Sequence, residues 1–208
     1  MIIVNNKKGK KMRILILMLG YFISSQVSAG LITYASDPSL SGASVINFNS
    51  ETTGSFTSRT FNDDVTLSTT SGFLNVETTH SGLFGSSGAY IGNPLGNNFE
   101  INFTNSVSAF GFSWGAANMS WVMSLYDTSN TLIETNNIIG QVGNYNGFIG
   151  ATNTGISKVT MTTAYFDYII LDNFRYVTDS VSVSEPTTTM MLVVGLIALG
   201  FARKKVKK

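Results

Sequence analysis

The chain has 208 residues, of which 43% are hydrophobic and 12% charged, and its formal net charge at pH 7 is +1. This length suffices for one domain with a hydrophobic core. Five basic residues precede residue 14, five follow residue 202, and the part between has three basic and twelve acidic residues. Such an acidic body argues against nucleic-acid binding. The absence of cysteine excludes disulfides, thiolate nucleophiles and cysteine zinc sites.

The amino-terminal segment has the parts of a signal peptide. A basic cluster is followed by the apolar run Ile14 to Ile23 and then by the small residues Val27 and Ala29. Ten apolar residues are too few to span a bilayer, which needs about 20; a retained membrane helix is the alternative. We predict that residues 1–29 are removed by signal peptidase between Ala29 and Gly30, with either Met1 or Met12 as the start.

Residues 30–179 read as a single all-β domain. Apolar residues alternate with polar ones in several short runs, and turn-forming Gly, Asn, Ser and Asp separate the runs, which is typical of a β-sandwich or jelly roll. The candidate strands are SVINFN, VTLSTT, FLNVETT, NFEINF, AFGFSW, WVMSLYD, ISKVTMTT and YFDYIILDNFRY.

The aromatic residues of these strands are predicted to form the core. Trp114 and Trp121 each lie on an alternating apolar face and should be largely buried between two sheets. A sugar-stacking platform is the alternative for such a row. For a carbohydrate-binding function, we expect exposed aromatic residues on loops, and the candidates are Tyr90, Tyr145 and Phe148.

Few residues offer catalytic chemistry. His80 is the only histidine and lies in the turn-like TTHSG, where a surface histidine without a catalytic role is the simpler interpretation. No phosphate-binding glycine loop is present. A carboxylate pair for glycoside hydrolysis stays open, because two distant strands can supply one. We therefore predict no catalytic residues and no enzyme activity.

The carboxyl-terminal 29 residues have three parts in a fixed order. Ser184, Glu185 and Pro186 precede an apolar run from Met190 to Ala202, and a basic cluster ends the chain. Thirteen apolar residues are short for a stable membrane span, and the basic tip should stay cytoplasmic. This order resembles the PEP-CTERM sorting signal of Gram-negative, exopolysaccharide-producing bacteria, with Ser184 in place of the usual first proline. The resemblance implies that an exosortase removes the tail, so residues 180–208 are expected to be a sorting signal.

A second resemblance concerns the body. The segments INFNSE and DYIILDNFRY resemble the first and last strands of jelly-roll domains in PEP-CTERM proteins and carbohydrate-binding modules. In those modules, an early acid and a late aspartate can hold a structural calcium. The resemblance implies Glu51 and Asp172 as calcium ligands here; the chain otherwise suggests no cofactor.

Together these features predict a non-catalytic protein exported across the inner membrane, at the cell surface or in the extracellular matrix, with a membrane-anchored precursor. Exosortase and signal peptidase would be its partners during export, and exopolysaccharide its partner in a biofilm. A lectin of the carbohydrate-binding-module type is the alternative, followed by a glycan-active enzyme.

Overall fold

The computed structural model describes residues 30–94, 96–140 and 146–179. Within these residues the protein is an antiparallel all-β structure with one 3₁₀ turn, Pro38–Leu40, and no α-helix. The prediction of an all-β body is confirmed. The strands are β1 (Gly30–Ile32), β2 (Ser44–Ile46), β3 (Gly54–Phe56), β4 (Ser58–Phe61), β5 (Val65–Ser68), β6 (Leu74–Glu77), β7 (Tyr90–Asn93), β8 (Asn98–Gly115), β9 (Trp121–Tyr126), β10 (Leu132–Ile138), β11 (Asn146–Thr162) and β12 (Ile169–Thr178).

Two long strands organise the sheet. β8 has 18 residues and β11 has 17, and they pair with each other along both of their halves. The first half of β8 also pairs with β5, and the second half of β11 also pairs with β9. The second half of β8 also pairs with β12, and the first half of β11 also pairs with β1. Each long strand therefore belongs to two groups of strands.

The two halves of β8 face each other across the core. Phe99 and Trp114 lie fifteen residues apart in this strand, a separation of about 50 Å in a straight strand. Their ring centroids are nevertheless 6.4 Å apart. β8 therefore bends back on itself, and the core fills the space between its halves.

A β-bulge at Ser108 accompanies this bend. Val177 of β12 pairs with Ala109, whereas the next residue, Thr178, pairs with Val107, so Ser108 has no partner in that register. One extra residue exchanges the two faces of a strand. Accordingly, the β8 side chains of the main core cluster are odd-numbered before the bulge (Phe99, Ile101, Phe103 and Val107) and even-numbered after it (Phe110, Phe112 and Trp114).

The aromatic residues predicted for the core are buried. Trp114 and Trp121 are each 1% exposed, and their rings meet edge to face at 5.7 Å. The alternating apolar residues of the candidate strands NFEINF, AFGFSW and WVMSLYD are all buried in one cluster. They are Phe99, Ile101, Phe103, Phe110, Phe112, Trp114, Trp121, Met123 and Leu125. The prediction of core packing for this aromatic row is confirmed.

Both chain ends of the body lie at one end of the strands, here called the proximal end. Gly30 pairs with Thr152 at the bend of β11, and the Asp179 carboxylate accepts a hydrogen bond of 3.0 Å from the Gly155 amide. The opposite, distal end carries the loops 96–97, 116–120, 139–140 and 163–168. The second half of β8, about 25 Å long, separates the two ends.

Strand boundaries differ from the sequence expectation in several places. β11 begins ten residues before the candidate ISKVTMTT, and β1, β3, β4, β7 and β10 match none of the candidates. The segments NFEINF and AFGFSW form one strand, because the chain bends through a bulge rather than a turn. The last strand begins at Ile169, and residues 163–168 form a loop instead of its first part.

The sequence predicts a signal-peptide helix at the amino terminus and a short hydrophobic helix at the carboxyl terminus, and both segments lie outside the described residues. Among those that are described, no helix has the length and apolarity to cross a membrane.

Replacing Trp114 with alanine tests the core. We expect a loss of about 3–5 kcal/mol in the free energy of unfolding, because the ring is buried against Phe99, Phe112 and Trp121. Denaturant unfolding followed by circular dichroism measures this. Leu132→Ala, at a 54% exposed position, serves as the control and should cost less than about 0.5 kcal/mol. Equal effects of the two changes would contradict the assignment of Trp114 to the core.

Candidate functional site

The two residues that the second resemblance implied as calcium ligands have other partners. The Glu51 carboxylate forms an ion pair with Arg59, at 2.5 Å between Oε2 and Nη2. Asp172 is fully buried, and its oxygens accept hydrogen bonds from the backbone amides of Ser87 and Asn173 at 2.8 and 2.6 Å. Oxygens that face N–H donors do not suit a cation. The pair therefore does not fit a calcium site.

Asp172 instead anchors a loop. Its bond to Ser87 joins β12 to residues 78–89, which connect β6 and β7. Burial raises the pKa of Asp172 to about 6, and the two amide hydrogen bonds offset part of this rise. The carboxylate is thus held in a position where its charged form is unfavourable.

The aromatic residues predicted to be exposed on loops are not exposed where the structure describes them. Tyr90 begins β7 and is fully buried beneath the loop 78–89, next to Ala116 and Ile170. Phe148 belongs to β11 and is 8% exposed, because it lies over Gly111 and packs with Ile32 of β1. That expectation of exposure is wrong for both.

The remaining predicted residues fall almost entirely outside the described part of the chain. Tyr145, Ala29, and the motif Ser184, Glu185 and Pro186 lie outside the described residues. Gly30, the predicted new amino terminus, is the first residue of β1.

A polar cluster that the sequence analysis missed lies on the outer face of β6, β7 and β12. It consists of Glu77, His80, Tyr90 and Tyr168. The Tyr168 hydroxyl donates to Glu77 Oε1 at 2.9 Å and lies 3.3 Å from His80 Nδ1. The Tyr90 hydroxyl lies 3.0 Å from the same nitrogen and accepts a bond from the His80 backbone amide at 3.1 Å.

Two glycines make room for this cluster. A Cβ atom on Gly92 would lie 2.2 Å from Glu77 Oε1 and 3.3 Å from the Tyr168 hydroxyl. A Cβ atom on Gly115 would lie 2.2 Å from the backbone carbonyl oxygen of Phe84, so the loop 78–89 can rest directly on β8 only because this position is glycine. The cluster therefore forms where the loop closes over the sheet.

The two tyrosines of the cluster have raised pKa values. Burial raises the pKa of Tyr90, and burial together with hydrogen bonds to Tyr90 and Glu77 raises that of Tyr168 well above its ordinary value. Both phenols therefore stay protonated near neutral pH and cannot act as bases. Glu77 is the single carboxylate of the cluster, whereas glycoside hydrolysis requires two.

No metal-binding group stands out either. In residues 30–94, 96–140 and 146–179, no group of three or more His, Asp or Glu side chains is placed to hold a metal ion.

Sequence reasoning could not assemble this cluster, because Tyr168 lies 91 residues from Glu77 and 88 from His80. The only local signal was a lone histidine in a turn. The prediction of a turn is confirmed, but His80 is half-buried and packs against the Phe84, Tyr90 and Tyr168 rings.

Comparisons with known proteins give one distant structural likeness. No protein-family model and no curated protein matches the chain. A solved structure that matches is the enzymatically active domain of tailspike protein 4 of bacteriophage CBA120, at 16% identity and a TM-score of 0.31. The match covers 73% of this chain and 19% of the tailspike chain, so this chain spans about a fifth of that protein.

The raised pKa of Asp172 makes stability depend on pH. The folded state holds this proton up to about pH 6, whereas an unfolded aspartate releases it near pH 4, so the folded state binds more protons in between. Stability contributed by the protonated group is therefore lost as pH rises from about 4 to 7. The loss should be about 2–3 kcal/mol, from a shift of roughly two pKa units.

Asp172→Asn removes this ionisation and is the test. Urea unfolding of both proteins at pH 4 and pH 7.5 gives the comparison, and groups that titrate equally in the two proteins cancel. We expect the wild-type protein to lose 2–3 kcal/mol relative to the variant between these pH values. Parallel stability profiles would show that Asp172 ionises in the folded protein as it does in water.

Proposed function

We propose that this chain is an exported, non-catalytic protein of the cell surface or extracellular matrix, sorted by an exosortase. The observation that carries the proposal is the order of segments in the sequence: a signal-peptide-like leader, an acidic body, the Glu185-Pro186 motif, thirteen apolar residues and a basic tip. Each segment alone is common. Their order is what resembles the PEP-CTERM arrangement.

The body of this proposed protein is a β-sandwich of the jelly-roll type. The facing halves of β8 and the change of neighbouring strands along β8 and β11 support this architecture. A sandwich hides its apolar residues between two layers and leaves loops at its two ends for contacts. This suits a protein that works outside the cell without disulfides, because its core supplies the stability.

A non-catalytic role agrees with the chemistry of the polar cluster. The Tyr168 hydroxyl bonds to Glu77, and both phenols lie against His80 Nδ1, so the side chains of the cluster are engaged with one another and hold the loop 78–89 in place. The alternative functions, a lectin and a glycan-active enzyme, differ from this proposal in binding and in turnover respectively. Selective binding of one defined oligosaccharide, beyond association with the matrix polymer, would make the lectin the better description, and turnover lost with one carboxylate would make it an enzyme.

In the proposed pathway, the leader directs the chain across the inner membrane and signal peptidase cuts near Gly30. The apolar run holds the precursor in the membrane, with its body outside and its basic tip inside. Exosortase then removes the tail near Ser184 to Pro186, and the body joins the exopolysaccharide of the biofilm.

Replacing Glu185 and Pro186 with alanine tests the sorting motif. In a host with an exosortase, we expect the wild-type surface protein to end near this motif and the variant to retain Met190 to Lys208. Translocation should be unaffected, because the basic tip still resists transfer across the membrane. Intact-mass measurement of the surface fraction distinguishes the two forms.

Thr188→Ala with Thr189→Ala is the matched control, since it changes two neighbouring residues outside the motif, and it should be processed normally. A host without an exosortase should accumulate the wild-type precursor in its membrane. A wild-type surface protein that still carries residues 190–208 would mean that the segment is a permanent anchor.

A further inference from the structure

The loop at residues 163–168, between β11 and β12, exposes two adjacent aromatic side chains at the distal end. Tyr165 is 68% exposed and Phe166 is 71% exposed. Most large apolar side chains of the described residues are buried, so two neighbouring rings this exposed are unusual. Neither ring contacts another aromatic ring of the described residues, which leaves their faces available.

This loop is held rigidly on both sides of the two rings. On one side, the Thr163 amide donates to the Asn97 carbonyl and the Thr163 hydroxyl to the Ser120 carbonyl, each at 2.9 Å. On the other side, the Asp167 amide donates to the Gly96 carbonyl at 3.3 Å. The loop therefore has fixed ends at Thr163 and Asp167, with three residues between them.

The carboxylate of Asp167 provides the strongest of these attachments. It is 6% exposed, and it accepts bonds from the amides of Asn118 and Met119 at 3.2 and 3.1 Å and from the Trp121 indole at 2.9 Å. Hydrogen bonds to a charged group are about twice as strong as neutral ones. A buried carboxylate thus fixes the loop that presents Tyr165 and Phe166 to solvent.

The distal loops around the rings expose no charged side chain. Besides the two rings, their exposed residues are the neutral hydrogen-bonding Asn118 and Ser120 and the apolar Ile139 and Ala164. The described residues contain eleven acidic and three basic side chains, and no basic one lies in a distal loop. An anionic membrane or an anionic polymer would be repelled by this body, whereas an uncharged partner would not.

We propose that Tyr165 and Phe166 form a binding platform for an uncharged polysaccharide made of pyranose units. The C–H face of a pyranose ring packs on the negative face of an aromatic ring, and its hydroxyls can bond to the neutral polar side chains beside it. Rings already fixed in place lose little conformational freedom on binding. The proposal rests on the proposed function for access to polysaccharide outside the cell.

The position of the platform agrees with attachment of the precursor through its tail before that tail is removed. The chain ends of the body, Gly30 and Asp179, lie at the proximal end, and the two rings lie at the distal end about 25 Å away. A body held by its tail therefore directs Tyr165 and Phe166 away from the point of attachment.

Affinity electrophoresis of the exported protein tests this platform. Native gels contain dextran or hydroxyethyl cellulose as uncharged polymers, or alginate as an anionic one. We expect an uncharged polymer to retard the wild-type protein and alginate to have no effect. The double variant Tyr165→Ala with Phe166→Ala should raise the dissociation constant at least tenfold, and Tyr165→Phe should bind nearly as the wild type does.

Tyr34→Ala is the matched control, because Tyr34 is 51% exposed and lies outside the distal loops. It should bind as the wild type does, and unchanged thermal unfolding of the double variant shows that the fold is intact. Equal retardation of wild type and double variant, or no retardation of either, would overturn the platform. Ring-dependent binding to phosphatidylcholine vesicles without polymer binding would also overturn it, in favour of a membrane contact. Tail processing is measured separately, so the platform and the sorting proposal can fail independently.

Discussion

The contact between Phe99 and Trp114 constrains the rest of the structure, because both rings belong to one strand. A strand that meets itself across a core must bend and must exchange its buried face, and the bulge at Ser108 does both. β11 follows the same course alongside β8, with register shifts between Thr152 and Lys158. The other strands of the described residues add to this bent pair directly or through a neighbouring strand.

Buried or half-buried carboxylates fix the loops on this framework. The described residues have eleven acids and three bases, so most acids cannot find a cation. Asp167 and Asp172 accept backbone amides instead, Asp64 accepts the Tyr176 hydroxyl at 2.7 Å, and Asp179 accepts the Gly155 amide. Such bonds satisfy a buried carboxylate without a counter-charge. Several of the acidic side chains therefore hold loops in place, in addition to contributing charge to the protein.

The sequence analysis predicted the features that leave an alternating pattern of apolar residues. It missed those that depend on contacts between residues far apart in the chain. The buried faces of β8 and β9 were readable, because burial on one side of a strand leaves a period of two. The continuity of β8 was not readable, since a bulge has no turn signal. Tyr90 and Phe148 were expected on loops, yet loop 78–89 covers the first and β1 the second. The platform was missed for the opposite reason. Tyr165 and Phe166 have the composition of a strand, but hydrogen bonds of Thr163 and Asp167 to neighbouring loops hold them in a loop.

Processing at either terminus is compatible with this fold. Gly30 pairs with Thr152, and Ile32 is buried with Leu40 and Phe148, so β1 covers an edge of β11 that would otherwise be unpaired. A cut that entered β1 would expose that edge and the Phe148 ring. At the other terminus, Asp179 is held by its amide bond to the Ser106 carbonyl and by its carboxylate bond to Gly155. The proposed cuts before Gly30 and after Asp179 would therefore leave every described contact in place. They would also leave the distal loops unchanged, because these loops lie at the opposite end of the strands.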